Sequence, residues 1–166
     1  MGKCVLPLIQ THAQGYIIFA DTVLDKRASQ EIELSRKQYS GNEHRVVKGI
    51  GLVNCVYVNP VSGHFWVIDY RRDDPDGDGK SKLDHVLEML PYLIYYKSLP
   101  FRTVLMDTWY ATKNLRQYID KEGKLYYCPL KKNRLVDDTG GRDSYKSVAS
   151  VEWNESEQKM GKIITH

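Results

Sequence analysis

Asp21 follows the apolar run Tyr16-Ile-Ile-Phe-Ala20, and Asp107 follows Thr103-Val-Leu-Met106. A carboxylate directly after a buried strand is not an ordinary surface charge. If the two strands are neighbours, about 4.8 Å apart, their acids come close enough to share a hard cation. Two unpaired anions at that separation repel, and a divalent ion relieves the repulsion. Oxygen donors from few side chains suit Mg²⁺ or Mn²⁺. Such a centre activates an attacking oxygen and stabilises a leaving one in phosphodiester chemistry. The same residues admit a plainer role, in which each aspartate caps the helix or turn that follows it.

A second acidic stretch, Asp73-Asp-Pro-Asp-Gly-Asp-Gly79, opens like a calcium loop. The loop position that needs a bidentate acid falls on His85, and the position that is normally apolar falls on Ser81. The preceding run, His64 to Tyr70, reads as a strand rather than the entering helix of such a loop. The stretch is better read as a turn leaving that strand, with a helix starting at Gly79 or Ser81. Lys80 and Lys82 then lie near the helix start, within reach of the neighbouring acids.

The elements that must position these residues follow from periodicity. Gly15 to Ala20 is a nearly continuous apolar run, as in strands buried on both faces. Val46 to Val58 is rich in β-branched residues, Asn59 to Gly63 is a turn, and His64 to Tyr70 returns as the second arm of an antiparallel hairpin. Leu83, Val86, Leu87, Leu90 and Ile94 share one face of a helix, which Pro91 should kink or split. Thr103 to Met106 is the next strand. Leu115, Tyr118 and Ile119 mark a second helix that stops before Gly123. Lys124 to Leu130 is the last clear strand, left at Pro129. The order is β, β, β, α, β, α, β. A helical crossover makes flanking strands parallel, so the strand before Asp107 can lie beside the strand before Asp21. Both acids then sit at the carboxyl edge of the sheet, where open α/β sheets place their chemistry.

Composition sets the outer limits. The chain has 166 residues, 42% hydrophobic and 27% charged, with a formal net charge of +3. That suffices for a folded domain with a real core, and the weak basic excess neither requires nor excludes nucleic acid. No apolar run approaches the ~20 residues of a membrane span, so no membrane partner is expected. The N-terminus reads neither as a secretory signal nor, with Leu6 where a Ser or Thr is needed, as a myristoylation site. Cys4, Cys55 and Cys128 are far apart and form no zinc pattern; together with the missing signal they point to a reducing, cytoplasmic setting. No nucleophile elbow or phosphate-binding glycine loop is present.

Five blocks occur in order: ADTVLDK from Ala20, YSGNEHRVVKGIGLV from Tyr39, DGDGKSKLDH from Asp76, VLMDTWYAT from Val104 and LKKNRLVDD from Leu130. Together they resemble the catalytic core of bacterial insertion-sequence transposases of the DDE class, over most of the chain. The resemblance implies an α/β, RNase H-like mixed sheet with flanking helices over residues 1–134. Residues 135–166 would begin a β-rich insertion. It implies that Asp21 and Asp107 are the first two catalytic acids, holding Mg²⁺ or Mn²⁺ in a two-metal site for cleavage and joining of DNA at transposon ends. Water and then a DNA 3′-hydroxyl would be the nucleophiles, and the full-length parent could be a homo-oligomer. Trp109 and Tyr110 would wall the site or stack on a base, unless they only pack helix against sheet. Lys131, Lys132 and Arg134 would contact DNA phosphates, unless they form a solvated charged loop. Asn133 could bind a phosphate or cap a turn. Asp25 and Lys26 either orient Asp21 or pair with each other.

The family's third acid is a glutamate announced by spaced Tyr, Arg, Glu and Lys residues. After Tyr110 the corresponding positions hold Lys113 and Gln117; after Tyr118, Lys121 and Leu125; after Tyr145, Val148. Glu152, Glu155 and Glu157 fall in the insertion by the order of elements. The chain thus reads as a transposase core truncated at both ends, with little or no strand transfer expected from it alone. The alternative is a non-catalytic remnant that binds DNA or interferes with an intact transposase.

Overall fold

The computed structural model describes residues 8–26, 35–40 and 44–162. Part of the block that starts at Tyr39, and Cys4 and Leu6, lie outside the residues whose side chains are described. The chain divides into two compact units between Cys128 and Pro129. Lys131, Lys132 and Arg134 therefore belong to the second unit.

The first unit is mixed α/β. Its strands are β1 (Tyr16–Asp25), β2 (Arg36–Ser40), β3 (Arg45–Val58), β4 (Phe65–Asp73), β5 (Thr103–Met106) and β6 (Leu125–Tyr127). Its helices are α1 (Pro75–Asp78), α2 (Lys82–Pro91) and α3 (Lys113–Lys121). In the sheet, β1 lies between β3 and β5, antiparallel to the first and parallel to the second, and β6 is parallel to β5. The long β3 has β1 along one edge. Its other edge is shared end to end, by β4 from Gly51 to Val58 and by β2 from Arg45 to Gly49.

Strand alternation explains which face is buried. Ile17 and Phe19 of β1 lie opposite Tyr57 and Cys55 of β3 and beside Val104 and Met106 of β5. All six are at most 5% exposed and join one core with Val86, Met89 and Leu90 of α2 and Leu115 and Ile119 of α3. The hairpin of β3 and β4 turns at Asn59–Gly63, where the Asn59 side chain accepts from the amides of Val61 and Ser62. The Ser81 hydroxyl caps α2 and the Asp84 carboxylate returns the bond to the Ser81 amide, so the helix starts at Lys82. Pro91 closes the α-helical part: a π-type turn, Tyr92–Tyr96, carries the chain onward and keeps Leu93 in the core.

Three features depart from the expected elements. β1 does not stop at Asp21. It loses its β5 partner after Phe19 but remains paired to β3 as far as Asp25 opposite Gly49. β2, with the sequence RKQYS, was not anticipated, because it has no apolar alternation to announce it. The calcium-like stretch forms α1 and its flanks; Arg36 takes Asp73 at 2.7 Å and reaches Asp76 at 4.0 Å, and the other carboxylates go elsewhere. Asp74 pairs with Arg72 at 2.9 Å; Asp78 accepts from the Lys80 amide at 2.9 Å and lies 3.5 Å from His85.

The second unit has a short pair, β7 (Leu135–Val136) antiparallel to β8 (Lys146–Ser147), a single 3₁₀ turn, and the capped helix α4 (Glu155–Met160). Val136 and Val151 are its buried apolar residues. No described helix is long and apolar enough to cross a membrane.

Candidate functional site

The parallel register of β1 and β5 ends at Phe19 beside Met106, which brings the next residues of both strands to one edge. There, a cavity of about 460 Å³ is lined by Asp21, Arg36, Gln38, Asp73, Ser81, Lys82, Leu83, Asp107, Trp109 and Tyr110. Asp21 and Asp107 thus line the same cavity.

The floor is a continuation of the core face of the sheet. Asp21 lies opposite Val53, Asp73 opposite Gly51, Arg36 opposite Gly49 and Gln38 opposite Val47. These β3 positions are alternate residues and share one face, so the four polar side chains share it too. β2 and β4 meet end to end at Gly49 and Gly51, which sets Arg36 against Asp73 at 2.7 Å. A Cβ on Gly51 would come within 3.1 Å of the Asp73 side chain and 2.5 Å of Gln38 Oε1, so the glycine leaves room for both.

The roof is the start of α2. The Lys82 ammonium lies 2.5 Å from Asp21 Oδ2 and 4.0 Å from Asp73 Oδ2. The positive end of the helix adds to the field that these carboxylates feel. Lys80, the other lysine near the helix start, turns away and pairs with Glu88 at 2.6 Å.

The wall is the turn after β5. Asp107 Oδ1 accepts from the amides of Trp109, at 2.8 Å, and Tyr110, at 3.4 Å. The plain turn-capping role is therefore real for Asp107, and it uses one oxygen; Thr112, not Asp107, caps α3. Asp21 caps nothing, since it is inside β1. The turn separates the two aromatic residues: Trp109 is 77% exposed and Tyr110 only 1%. The Tyr110 hydroxyl is buried without a hydrogen-bond partner. Its pKa is pushed up, first by burial and then by the charges of Asp21, Asp107 and Asp73, so it stays a neutral donor.

Three carboxylates thus face two cations, Arg36 and Lys82, around this cavity. Lys82 and Arg36 serve Asp21 and Asp73; among the described residues no cation pairs with Asp107. The donors are all oxygens, and an unpartnered hydroxyl lies among them. That chemistry suits a hard divalent ion, although no three metal-ligating side chains converge as a ready group among the described residues.

Asp73, Arg36 and Gln38 were not found from sequence. Asp73 looked like the first member of an acidic turn. The signal that could have found it is the alternation Asp69, Arg71, Asp73 along one face of β4. Lys131, Lys132 and Arg134 lie in a turn before β7, where the Lys131 carbonyl accepts from the Arg134 amide at 2.9 Å. Both lysines are exposed, Arg134 is partly buried, and none of the three lines the cavity. Asp25 and Lys26 close β1 and are not lining residues either.

Comparison with protein-family models finds none that matches the chain, and comparison with curated proteins likewise finds no match.

Proposed function

We propose that the cavity is the metal-dependent phosphoryl-transfer centre of a DNA transposase of the DDE class, with Asp21 and Asp107 as two of its acids. The observation that carries this reading is the parallel β1–β5 register, which leads two carboxylates from distant parts of the chain into one cavity. The sheet order β4, β3, β1, β5, β6 supports an RNase H-like core for the first unit. The all-oxygen donor set and the orphaned Tyr110 hydroxyl fit Mg²⁺ or Mn²⁺. When bound, the ion supplies activation of the attacking oxygen and stabilisation of the leaving one.

The chain's own residues do the rest. Asp107 is oriented by two backbone amides before any ligand arrives. Asp21 is held by the rigid pairing of β1 with β3. The exposed Trp109 ring offers a base-stacking surface worth about 1–3 kcal/mol. Lys131, Lys132 and Arg134 are the candidate phosphate contacts, which would make DNA binding weaken with salt. The third glutamate of the class has no match by spacing, so efficient strand transfer is not expected of this chain by itself.

Titration with Mn²⁺, following the free ion by electron paramagnetic resonance, tests the reading. Binding to the full chain that disappears in Asp107→Asn is the expected result. Absence of any Asp107-dependent binding overturns it. In a supercoiled-plasmid assay with Mn²⁺, little or no nicking is expected; robust nicking that is lost in Asp107→Ala would show that two acids from this chain suffice.

A further inference from the structure

Lys82 is the first residue of α2, and its backbone is pinned by the reciprocal bonds of Ser81 and Asp84. Its side chain is a flexible stem with a compact charge at the end. That charge now sits on Asp21 at 2.5 Å, with a second carboxylate, Asp73, only 4.0 Å away. Asp73 is held from the other side by Arg36 at 2.7 Å and is 7% exposed, so its position does not depend on Lys82. The Lys82–Asp21 pair is more open: the Asp21 side chain is 24% exposed, against 6% for Asp73.

Resting on the reading that Asp21 and Asp107 hold the divalent ion, we propose that Lys82 is the resident counter-ion of Asp21, which competes with the metal and transfers to Asp73 when the metal binds. An ammonium and a divalent cation cannot both keep full contact with the same carboxylate oxygen. The arrangement gives the displaced charge somewhere to go inside the cavity, next to a buried anion. Asp73 is then a positioning residue that acts through Lys82.

The same Mn²⁺ titration, on the full chain with the metal alone, tests this. Lys82→Met is expected to bind Mn²⁺ roughly tenfold more tightly than the native chain, a change of about 1.4 kcal/mol. Lys82→Gln should do the same, and circular dichroism with thermal unfolding checks that both variants fold. Asp73→Asn is expected to weaken binding in the native background and to have little effect in the Lys82→Met background. Unchanged or weaker Mn²⁺ binding in both Lys82 variants overturns the counter-ion role while leaving the metal reading intact. Equal loss from Asp73→Asn in both backgrounds overturns the transfer to Asp73. If neither the native chain nor the Lys82 variants bind Mn²⁺ through Asp107, the metal reading fails, and the counter-ion role fails with it.

Discussion

Tyr110 shows how a single polar atom reports on its surroundings. Its ring is part of the core, and its hydroxyl lies unpartnered near three carboxylates. An unsatisfied buried hydroxyl costs stability, by about 1–3 kcal/mol. Tyr110→Phe is therefore expected to leave stability unchanged or raise it by up to about 1 kcal/mol, read from the urea midpoint; a clear loss would mean that the hydroxyl has a partner in solution. At this scale the sequence was partly legible. Asp21 and Asp107 announced themselves because each follows an apolar run. Trp109 and Tyr110 could not be told apart, because the turn that exposes one ring and buries the other is set by the Asp107 carboxylate. Asp73 stayed hidden because its role depends on Arg36, which belongs to a strand with no apolar signature.

At the scale of elements, β3 organises the site. It presents alternate positions to three different strands, and two of those positions are glycines. A Cβ on Gly49 would meet the Leu24 carbonyl oxygen at 2.3 Å, a backbone atom that cannot yield without moving β1. On Gly51 the nearest atom, at 2.5 Å, is the end of the Gln38 side chain, which can swing away. Gly49→Ala is thus expected to cost about 3 kcal/mol or more, and Gly51→Ala about 1 kcal/mol, in denaturant unfolding. The reverse ranking would sink this account of the β1–β3 contact. Of the elements, the hairpin, both long helices and the β1–β5 pairing could be read from periodicity and from crossover rules. The end-to-end placement of β2 and β4 could not, because it is a matter of register along one edge. Pro91 was legible as a break, but the π-type turn that absorbs it was not.

At the scale of the molecule, the two units rest on different physics. The first has a continuous apolar core. The second is small and is tied largely by carboxylates. Asp138 pairs with Lys146 at 2.9 Å and Lys162 at 3.1 Å, while Asp137 accepts from the Thr139 hydroxyl at 2.6 Å and amide at 2.8 Å. These contacts hold both carboxyls below the usual range, through the Lys146 ammonium at Asp138 and the Thr139 hydrogen bonds at Asp137 above all. A depressed folded-state value means that the stabilisation is fully present above the unfolded value, near 3.9, and is lost as pH falls through the folded value. Amide exchange is expected to show the second unit opening below about pH 4. Asp138→Asn should shrink that acid step and loosen the unit at neutral pH; an acid step of the same size in the variant would remove Asp138 from the explanation. The sequence reading sets a division after Arg134, whereas the two compact units divide between Cys128 and Pro129. The sheet order carries one more consequence. Take Asp107 away from the cavity and the remaining formal charges, Asp21 and Asp73 against Arg36 and Lys82, cancel. The excess negative charge is contributed by Asp107, in the turn that β5 leads into. Until that strand docks beside β1, the site is self-neutralised, and a half-assembled chain offers cations no net attraction there.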